Sequence, residues 1–118
     1  MKNLDSIFLS LGTNIGDKKK NLSAALSSLS DFMKVLGVSS VYKTEPLLYK
    51  DQDDFLNIVV EVDYQDTAQA LLQVIQNIEM QMGREKTVRY GPRIIDIDII
   101  FFKGEVIKQK DLIIPHYD

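Results

Sequence analysis

Residues 94–102 have the sequence IIDIDIIFF, the most strand-like stretch of the chain. Isoleucine and aspartate alternate through its first half. Successive side chains of a β-strand point to opposite faces, so this pattern predicts one apolar face and one acidic face. The residues predicted to enter the core are Ile95, Ile97 and Ile99. Asp96 and Asp98 are expected to point together from the other face, with their Cα atoms roughly 7 Å apart.

The two aspartates indicate a candidate site for a hard cation. Carboxylates on a rigid strand suit magnesium, which prefers oxygen ligands and completes its shell with substrate phosphates and water. Aspartate is a poor strand former, so two in one central strand need a reason. The spacing alone is equally compatible with the solvated outer face of an ordinary amphipathic strand. Asp96 and Asp98 are therefore candidate metal ligands.

A basic segment lies immediately upstream of this strand. Four of the chain's 14 basic residues fall within ten positions there, namely Arg84, Lys86, Arg89 and Arg93. Guanidinium groups bind phosphate oxygens in a bidentate way and neutralise charge that develops during phosphoryl transfer. A solvated charged loop is the alternative interpretation. Beside two carboxylates, however, these cations complete a minimal set of groups for nucleotide chemistry.

Hydrophobic periodicity predicts the remaining elements. Apolar residues at spacings of three and four predict a helix over residues 17–36, with Gly37 just past its end. Residues 66–69 resemble a capping box, with Asp66 as the cap, for a second helix that Gly83 ends. Strands are predicted over residues 6–11, 38–42, 55–64 and 94–102, with a tight turn at 12–14 and short extended pieces at 105–107 and 112–114.

The order strand, helix, strand, strand, helix, strand predicts the fold class. It is the split βαβ, or ferredoxin-like, α+β plan (βαββαβ), in which an antiparallel sheet carries both helices on one face. The other face must either be covered by further residues or carry a functional site. The long polar loop of residues 43–54 favours a functional site. A chain of 118 residues has room for one domain, spanning residues 1–118.

Composition argues against several classes of protein. Apolar residues make up 45% of the chain, cysteine is absent, and the formal net charge is −3. A disulfide framework and a thiolate metal site are therefore excluded, and the acidic balance argues against general nucleic-acid binding. The N-terminus lacks the apolar run of a secretion signal, and the apolar stretches are too short for a membrane span. We therefore expect a cytoplasmic protein with no membrane partner.

Two further patterns carry less information. Phe55 and Asn57 share one face of a predicted strand, where a ring that stacks and an amide that hydrogen-bonds form a plausible platform for a heterocycle. An ordinary strand start with Phe55 in the core is the alternative. His116 is the only histidine of the chain, and a lone histidine is more often structural or exposed than catalytic.

Several segments, taken in order along the chain, resemble one enzyme family. They are GTN at 12–14, YKTEP at 42–46, DFLN at 54–57, the second helix from Gln76 to Arg84, RYGPRIIDIDI at 89–99 and PHYD at 115–118. The arginine, Gly-Pro, arginine and Asp-x-Asp at fixed spacing form a specific signature. The chain resembles the 6-hydroxymethyl-7,8-dihydropterin pyrophosphokinases of folate biosynthesis, which transfer diphosphate from ATP to a reduced pterin and release AMP.

This resemblance implies roles for individual residues. Asp96 and Asp98 would hold two magnesium ions, while Arg84 and Arg93 would grip phosphates as charge redistributes. Nucleotide contacts are implied for Gln76, Glu79, Lys86, Arg89, Tyr90, Ile99, His116 and Tyr117. Pterin contacts are implied for Thr44, Glu45, Leu47, Phe55 and Asn57. ATP and a reduced pterin are thus the implied partners, and no covalent intermediate is needed.

The chain also departs from the family pattern. Tyr90 stands where the family commonly has tryptophan, and Lys86 where it often has arginine, which would replace a bidentate contact by a single one. The family continues beyond Asp118, so the resemblance implies a domain incomplete at its C-terminal end, with Ile113 and Ile114 lacking cover. The alternative function is a non-catalytic ferredoxin-like module that binds a small molecule or nucleic acid.

Overall fold

A computed structural model gives the fold and describes residues 5–46, 52–83, 94–109 and 112–115. The helices in these ranges are α1 (Lys18–Ser30) and α2 (Ala68–Gln81). The strands are β1 (Ile7–Thr13), β2 (Lys34–Val38), β3 (Tyr42–Thr44), β4 (Phe55–Asp63), β5 (Asp96–Phe102), β6 (Ile107–Gln109) and β7 (Leu112–Ile114). Neither described helix is long and apolar enough to cross a membrane.

The main sheet is antiparallel and has β1 between two long partners. Its strand order is β2-β4-β1-β5, and β3 pairs with β4 beyond the end of β2. Strands β6 and β7 form a separate two-stranded antiparallel sheet. Together with the chain order of helices and strands, this arrangement is the ferredoxin-like α+β plan. The predicted fold class is therefore confirmed.

Both helices pack on one face of the main sheet. Helix α1 contacts β1, β2 and β4, and α2 contacts β5. The buried apolar residues of the helices recur at spacings of three and four, and they are Leu22, Ala25, Leu29, Ala68, Leu71, Ile75 and Ile78. Alternate strand residues face them: Ile7, Leu9, Leu11, Ile58, Val60, Val62, Ile97, Ile99 and Phe102. Burying this apolar surface, at about 25 cal/mol per Å², favours one face of the sheet and leaves the other for polar side chains.

The first helix is shorter than predicted. It ends at Ser30, and Leu36 and Gly37 belong to β2, which replaces the strand predicted over residues 38–42. The apolar spacing continues past Ser30 because Met33 is buried just after the helix, whereas Leu36 is exposed. Pairing of β2 with β4 determines the backbone here, since this long-range ladder satisfies the groups that a longer helix would have satisfied locally.

Two smaller predictions are also wrong. Gly12 and Thr13 do not form a tight turn, because β1 continues through both of them and pairs with β4 to its last residue. Ile114 does not lack cover, because it is buried in the same core cluster as the main sheet. Ile113 points the other way along β7 and is exposed, as the alternation of a strand requires.

Helix α2 is capped by Thr67, one residue later than the capping box predicted. The Thr67 hydroxyl oxygen accepts from the backbone N–H of Ala70 at 3.1 Å. Asp66 instead accepts from the backbone N–H of Thr67 at 2.7 Å. Beyond the other end, Gly83 has a φ of +87°, which L side chains rarely adopt, and it follows the helix as predicted.

Replacing the cap tests this assignment. Thr67→Ala removes the acceptor for the Ala70 N–H, so we expect the free energy of unfolding to fall by about 1 kcal/mol. Thr67→Ser keeps the hydroxyl and should stay within about 0.5 kcal/mol of the parent. Urea unfolding followed by circular dichroism measures both. An equal loss in the serine variant would show that the cap is not what Thr67 contributes.

Candidate active site

The open face of the sheet carries the polar residues singled out by the sequence. Ser10 and Gly12 of β1 stand between the two neighbouring strands on this face. Gly12 is paired with Asn57 of β4 on one side and with Asp96 of β5 on the other. Ser10 is paired with Asp98 in the same way. The register therefore sets the amide and the two carboxylates on one surface, separated only by β1.

The alternation predicted for β5 is confirmed. Ile95, Ile97 and Ile99 are at most 4% exposed and lie in the core. Asp96 and Asp98 are partly exposed and belong to the opposite face. Both residues also take part in further interactions. Because the two side chains share the open face and are partly exposed, both can contact a ligand bound above this face of the sheet.

The donor set of this face fits a magnesium ion that is shared with a substrate. No group of three or more His, Cys, Asp or Glu side chains in the described ranges is arranged to hold a metal ion. Asp96 and Asp98 alone therefore supply too few ligands for a closed protein site. Magnesium commonly binds through one or two carboxylates, keeping waters and taking the remaining oxygens from phosphates. Two adjacent carboxylates on an open face match that mode.

On the other side of β1, Asn57 is held in one orientation by β3. Its side-chain nitrogen Nδ2 donates to the Thr44 hydroxyl oxygen Oγ1 at 2.9 Å and to the Tyr42 carbonyl oxygen at 3.3 Å. Thr44 and Phe55 are paired across β3 and β4, so they share the face of Asn57. An oriented amide beside a half-buried ring is suited to a flat heterocycle, which it can contact both at the edge and on one face.

Gly12 makes room for this amide. A Cβ atom at position 12 would lie 2.8 Å from the Asn57 side-chain oxygen Oδ1 and 3.5 Å from a ring carbon of Phe55. Separations below 3.0 Å are essentially never found for real Cβ atoms. The absence of a side chain at Gly12 thus allows Asn57 and Phe55 to lie directly over the central strand.

A buried amide fixes the segment that precedes β4. Asn14, which is 0% exposed, donates from Nδ2 to the Gln52 side-chain oxygen at 2.7 Å and to the Asp53 carbonyl oxygen at 3.2 Å. Lys18 Nζ donates to the Asp54 carbonyl oxygen at 3.0 Å and lies 3.6 Å from the Asp53 carboxylate. These contacts tie residues 52–54 to the turn between β1 and α1, and so fix the start of the strand that bears Phe55.

The two candidate nucleotide residues on α2 occupy different surroundings. Gln76 is exposed. Glu79 is only 6% exposed, and its carboxylate oxygen Oε2 accepts the backbone N–H of Ile97 at 2.8 Å. Ile99, also a candidate nucleotide residue, has its side chain in the core. Helix α2 therefore contacts β5 directly at the strand position between the two aspartates.

Comparison with known proteins identifies the family. The profile of 7,8-dihydro-6-hydroxymethylpterin-pyrophosphokinase (HPPK) matches residues 8–118. The chain belongs to the HPPK family. The match includes β1, β4 and β5, the three strands that carry the site. The resemblance stated from the sequence motifs is thereby confirmed.

The curated relatives that the chain matches differ in length, and the chain spans between 15% and 69% of those described next. The chain is 41% identical to the 2-amino-4-hydroxy-6-hydroxymethyldihydropteridine pyrophosphokinase of Bacillus subtilis over 92% of its own length and 66% of that protein. It is 36% identical to the protein of the same name from Aquifex aeolicus, over 94% of its own length and 69% of that protein. It is 45% identical to the folic acid synthesis protein fol1 of Schizosaccharomyces pombe, but spans only 15% of that protein.

Of the remaining candidate site residues, one lies inside the described ranges and the others lie outside them. Glu45 is exposed and lies just after the end of β3. Eight candidate residues lie outside the described ranges and stay predictions: Leu47, Arg84, Lys86, Arg89, Tyr90, Arg93, His116 and Tyr117. The described part of the candidate site therefore consists of the sheet face and α2, without the basic segment.

Sequence reasoning missed three of the contacts that organise the site. It noted Gly12 and Asn14 as a turn, and Glu79 only through the family resemblance. The role of Gly12 depends on a neighbour in another strand, and those of Asn14 and Glu79 depend on residues 38 and 18 positions away. A buried polar residue beside a strand end is the one signal that would have drawn attention to Asn14.

A matched pair of glycine substitutions tests the role of Gly12. Gly12→Ala sets a methyl group against the Asn57 amide, so we expect a loss of about 1–3 kcal/mol in unfolding free energy and shifted NMR signals of the Asn57 side-chain NH₂. Gly37→Ala is the control, because a Cβ there meets nothing within 4 Å. It should be neutral or slightly stabilising. Equal effects of the two substitutions would contradict a specific role for Gly12.

Removing the Asn14 amide tests the anchor of residues 52–54. Asn14→Ala leaves the Gln52 and Asp53 oxygens without this donor, and we expect a loss of about 1–3 kcal/mol in unfolding free energy. Lys18→Ala breaks the neighbouring exposed contacts and should cost less than about 1 kcal/mol. Urea unfolding of both variants compares them. A larger loss for Lys18→Ala would show that the Lys18 ammonium group is the main anchor.

Proposed function

We propose that the protein transfers the β,γ-diphosphate of ATP to the hydroxymethyl group of 6-hydroxymethyl-7,8-dihydropterin and releases AMP. In this reaction the hydroxyl oxygen forms a bond to the β-phosphorus, and the bond from that phosphorus to the oxygen bridging the α- and β-phosphates breaks. The hydroxyl proton is lost to solvent or a nearby base. The proposal includes magnesium dependence with two ions and a cytoplasmic site of action.

The observation that carries the proposal is the pairing of Gly12 with Asn57 on one side and Asp96 on the other. Neighbouring strands are about 4.8 Å apart, so the amide and the carboxylate stand about 10 Å apart on the same surface. A bicyclic ring seated at Asn57 would extend its hydroxymethyl arm over β1 toward the aspartates. Proximity of this kind is the main requirement of a reaction between two bound substrates.

Asp96 and Asp98 would hold the magnesium ions, which when bound neutralise charge on the triphosphate and orient its phosphates. The two carboxylates require no contribution from a third acidic side chain, in keeping with the ligand preference of magnesium. Arg84 and Arg93, together with Lys86 and Arg89, would bind the phosphates from the basic segment. Positive groups placed where charge develops lower the barrier more than they strengthen substrate binding.

The pterin would be seated by groups on β3 and β4. Because Asn57 Nδ2 already donates to Thr44 and to Tyr42, its Oδ1 is oriented as an acceptor for an N–H group at the edge of the ring. Phe55 would stack on one face of the heterocycle. Glu45 and Leu47 would contact it from the following loop. Gln76, Tyr90, Ile99, His116 and Tyr117 would contact the nucleotide.

Neutralising either aspartate tests the proposal. In an assay of AMP release from ATP and 6-hydroxymethyl-7,8-dihydropterin, Asp96→Asn and Asp98→Asn should each lower kcat by about 100-fold or more, because the phosphates lose their metal-mediated stabilisation. The free energy of unfolding should change by less than about 1 kcal/mol, because neither substitution removes buried apolar volume. Circular dichroism and urea unfolding check this.

Glu61→Gln provides the matched control. Glu61 also lies on the open face of the sheet, but it is paired with Phe8 at the opposite end of β4 from Asn57. Its neutralisation should leave kcat within about twofold of the parent, as expected for a charge that does not contact the reacting groups. Full turnover in either aspartate variant would overturn the proposed function. Ligand binding by the parent without AMP release would favour a non-catalytic binding module.

A further inference from the structure

A buried carboxylate accepts a hydrogen bond from the backbone of the residue between the two aspartates. The backbone N–H of Ile97 donates to Glu79 Oε2 at 2.8 Å, within the protein interior. Ile97 is the residue between Asp96 and Asp98, and Glu79 belongs to the last turn of α2. Glu79 is the only charged side chain among the buried residues of the described ranges.

The geometry of β5 explains why this N–H needs a partner. Strand β5 pairs with β1 along one edge only, and within the described ranges it is the last strand of its sheet. Successive residues of an antiparallel strand direct their N–H groups to opposite edges. Because the Ile97 N–H reaches Glu79 on the helix, it points away from β1. The N–H groups of Asp96 and Asp98 then point toward β1, so this peptide is held from both sides.

A carboxylate costs more to bury than the groups that usually satisfy a strand N–H, and Glu79 takes part in further interactions besides this one. Burying an ionised side chain costs several kcal/mol unless strong hydrogen bonds offset the loss of water. Edge N–H groups are commonly satisfied by water or by another strand. Hydrogen bonds to an ionised acceptor are shorter and roughly twice as strong as neutral ones. The use of a buried carboxylate here therefore gives a stiffer hold on this peptide than either ordinary partner would give.

Glu79 does not act as a third metal ligand in this arrangement. Asp96 and Asp98 lie on the open face, whereas Glu79 approaches β5 from the side of the helices. Consistent with this, the described ranges contain no cluster of three acidic or other ligating side chains positioned around one ion. The contact of Glu79 with this strand is made to the backbone N–H of Ile97.

We propose that Glu79 is a positioning residue, which fixes the direction and spacing of the Asp96 and Asp98 carboxylates by holding the peptide between them. This inference rests on the proposed function, since it assigns the two aspartates to the metal. Through the Glu79 contact, α2 sets the geometry of the acidic pair. Without the Glu79 contact, the edge of β5 would move more freely, and the two aspartates would bind magnesium less tightly.

The first experiment examines the contact itself, without metal or substrate. Amide hydrogen exchange of the ¹⁵N-labelled full chain is compared with that of Glu79→Gln and Glu79→Leu. Leucine removes the acceptor, so exchange at Ile97 should accelerate about tenfold or more relative to other residues of β5. Glutamine keeps an acceptor oxygen and should retain most of the protection. Unchanged exchange at Ile97 in both variants would overturn the proposal, whatever the enzymatic activity.

The second experiment examines the consequence for the metal. In the AMP-release assay, Glu79→Leu should raise the magnesium concentration for half-maximal activity about tenfold or more, while the KM for the dihydropterin stays within about twofold. Glu79→Gln should keep the half-maximal magnesium concentration of the parent. A raised KM for ATP at saturating magnesium, with the magnesium response unchanged, would instead make Glu79 a direct nucleotide contact and overturn the positioning role.

A core substitution on the same helix separates positioning from general destabilisation. Leu71→Ala removes a fully buried side chain of α2 and should lower Tm as much as Glu79→Leu or more. It should leave the magnesium response unchanged. An equal shift of that response in Leu71→Ala would show that instability alone is responsible, and would overturn the proposal. Failure of the parent chain to release AMP would refute the proposed function, while the exchange experiment still tests the Glu79 contact.

Discussion

Strand β1 is hydrogen-bonded along both edges, and the candidate site exists only because of the two registers this pairing fixes. Gly12 stands opposite Asn57 in one ladder and opposite Asp96 in the other. Side chains in a strand alternate with a period of two, so a slip of β5 by one residue would turn Asp96 and Asp98 into the core. Burial of Ile95 and Ile97 opposes that slip. The apolar face of β5 thus keeps its acidic face in place.

Features encoded within a few neighbouring residues could be predicted from the sequence. The alternation of isoleucine and aspartate gave the two faces of β5 correctly, because strand geometry leaves little choice once one face is buried. The end of α2 just before Gly83 is equally local, since the φ of +87° at Gly83 favours glycine. The order of elements then left few topologies open, and the ferredoxin-like sheet was among them.

Features that depend on distant partners could not be predicted in the same way. The apolar spacing of Leu36 continues that of α1, yet pairing of β2 with β4 takes this residue into a strand. Thr67 rather than Asp66 caps α2 because the helix begins one residue later than the capping-box pattern predicts. Glu79 has the appearance of any polar residue on an amphipathic helix. Only the folded chain reveals that its carboxylate meets the Ile97 amide.

The double pairing of β1 also has a consequence for synthesis of the chain on the ribosome. Strand β1 emerges before β4, and β5 emerges after both, so one edge of β1 has no partner until residues 96–102 are made. Sheets built from such distant segments form slowly, and exposed apolar strand edges recruit other chains. Nascent-chain yield should therefore depend on chaperones more strongly before β5 emerges than after it.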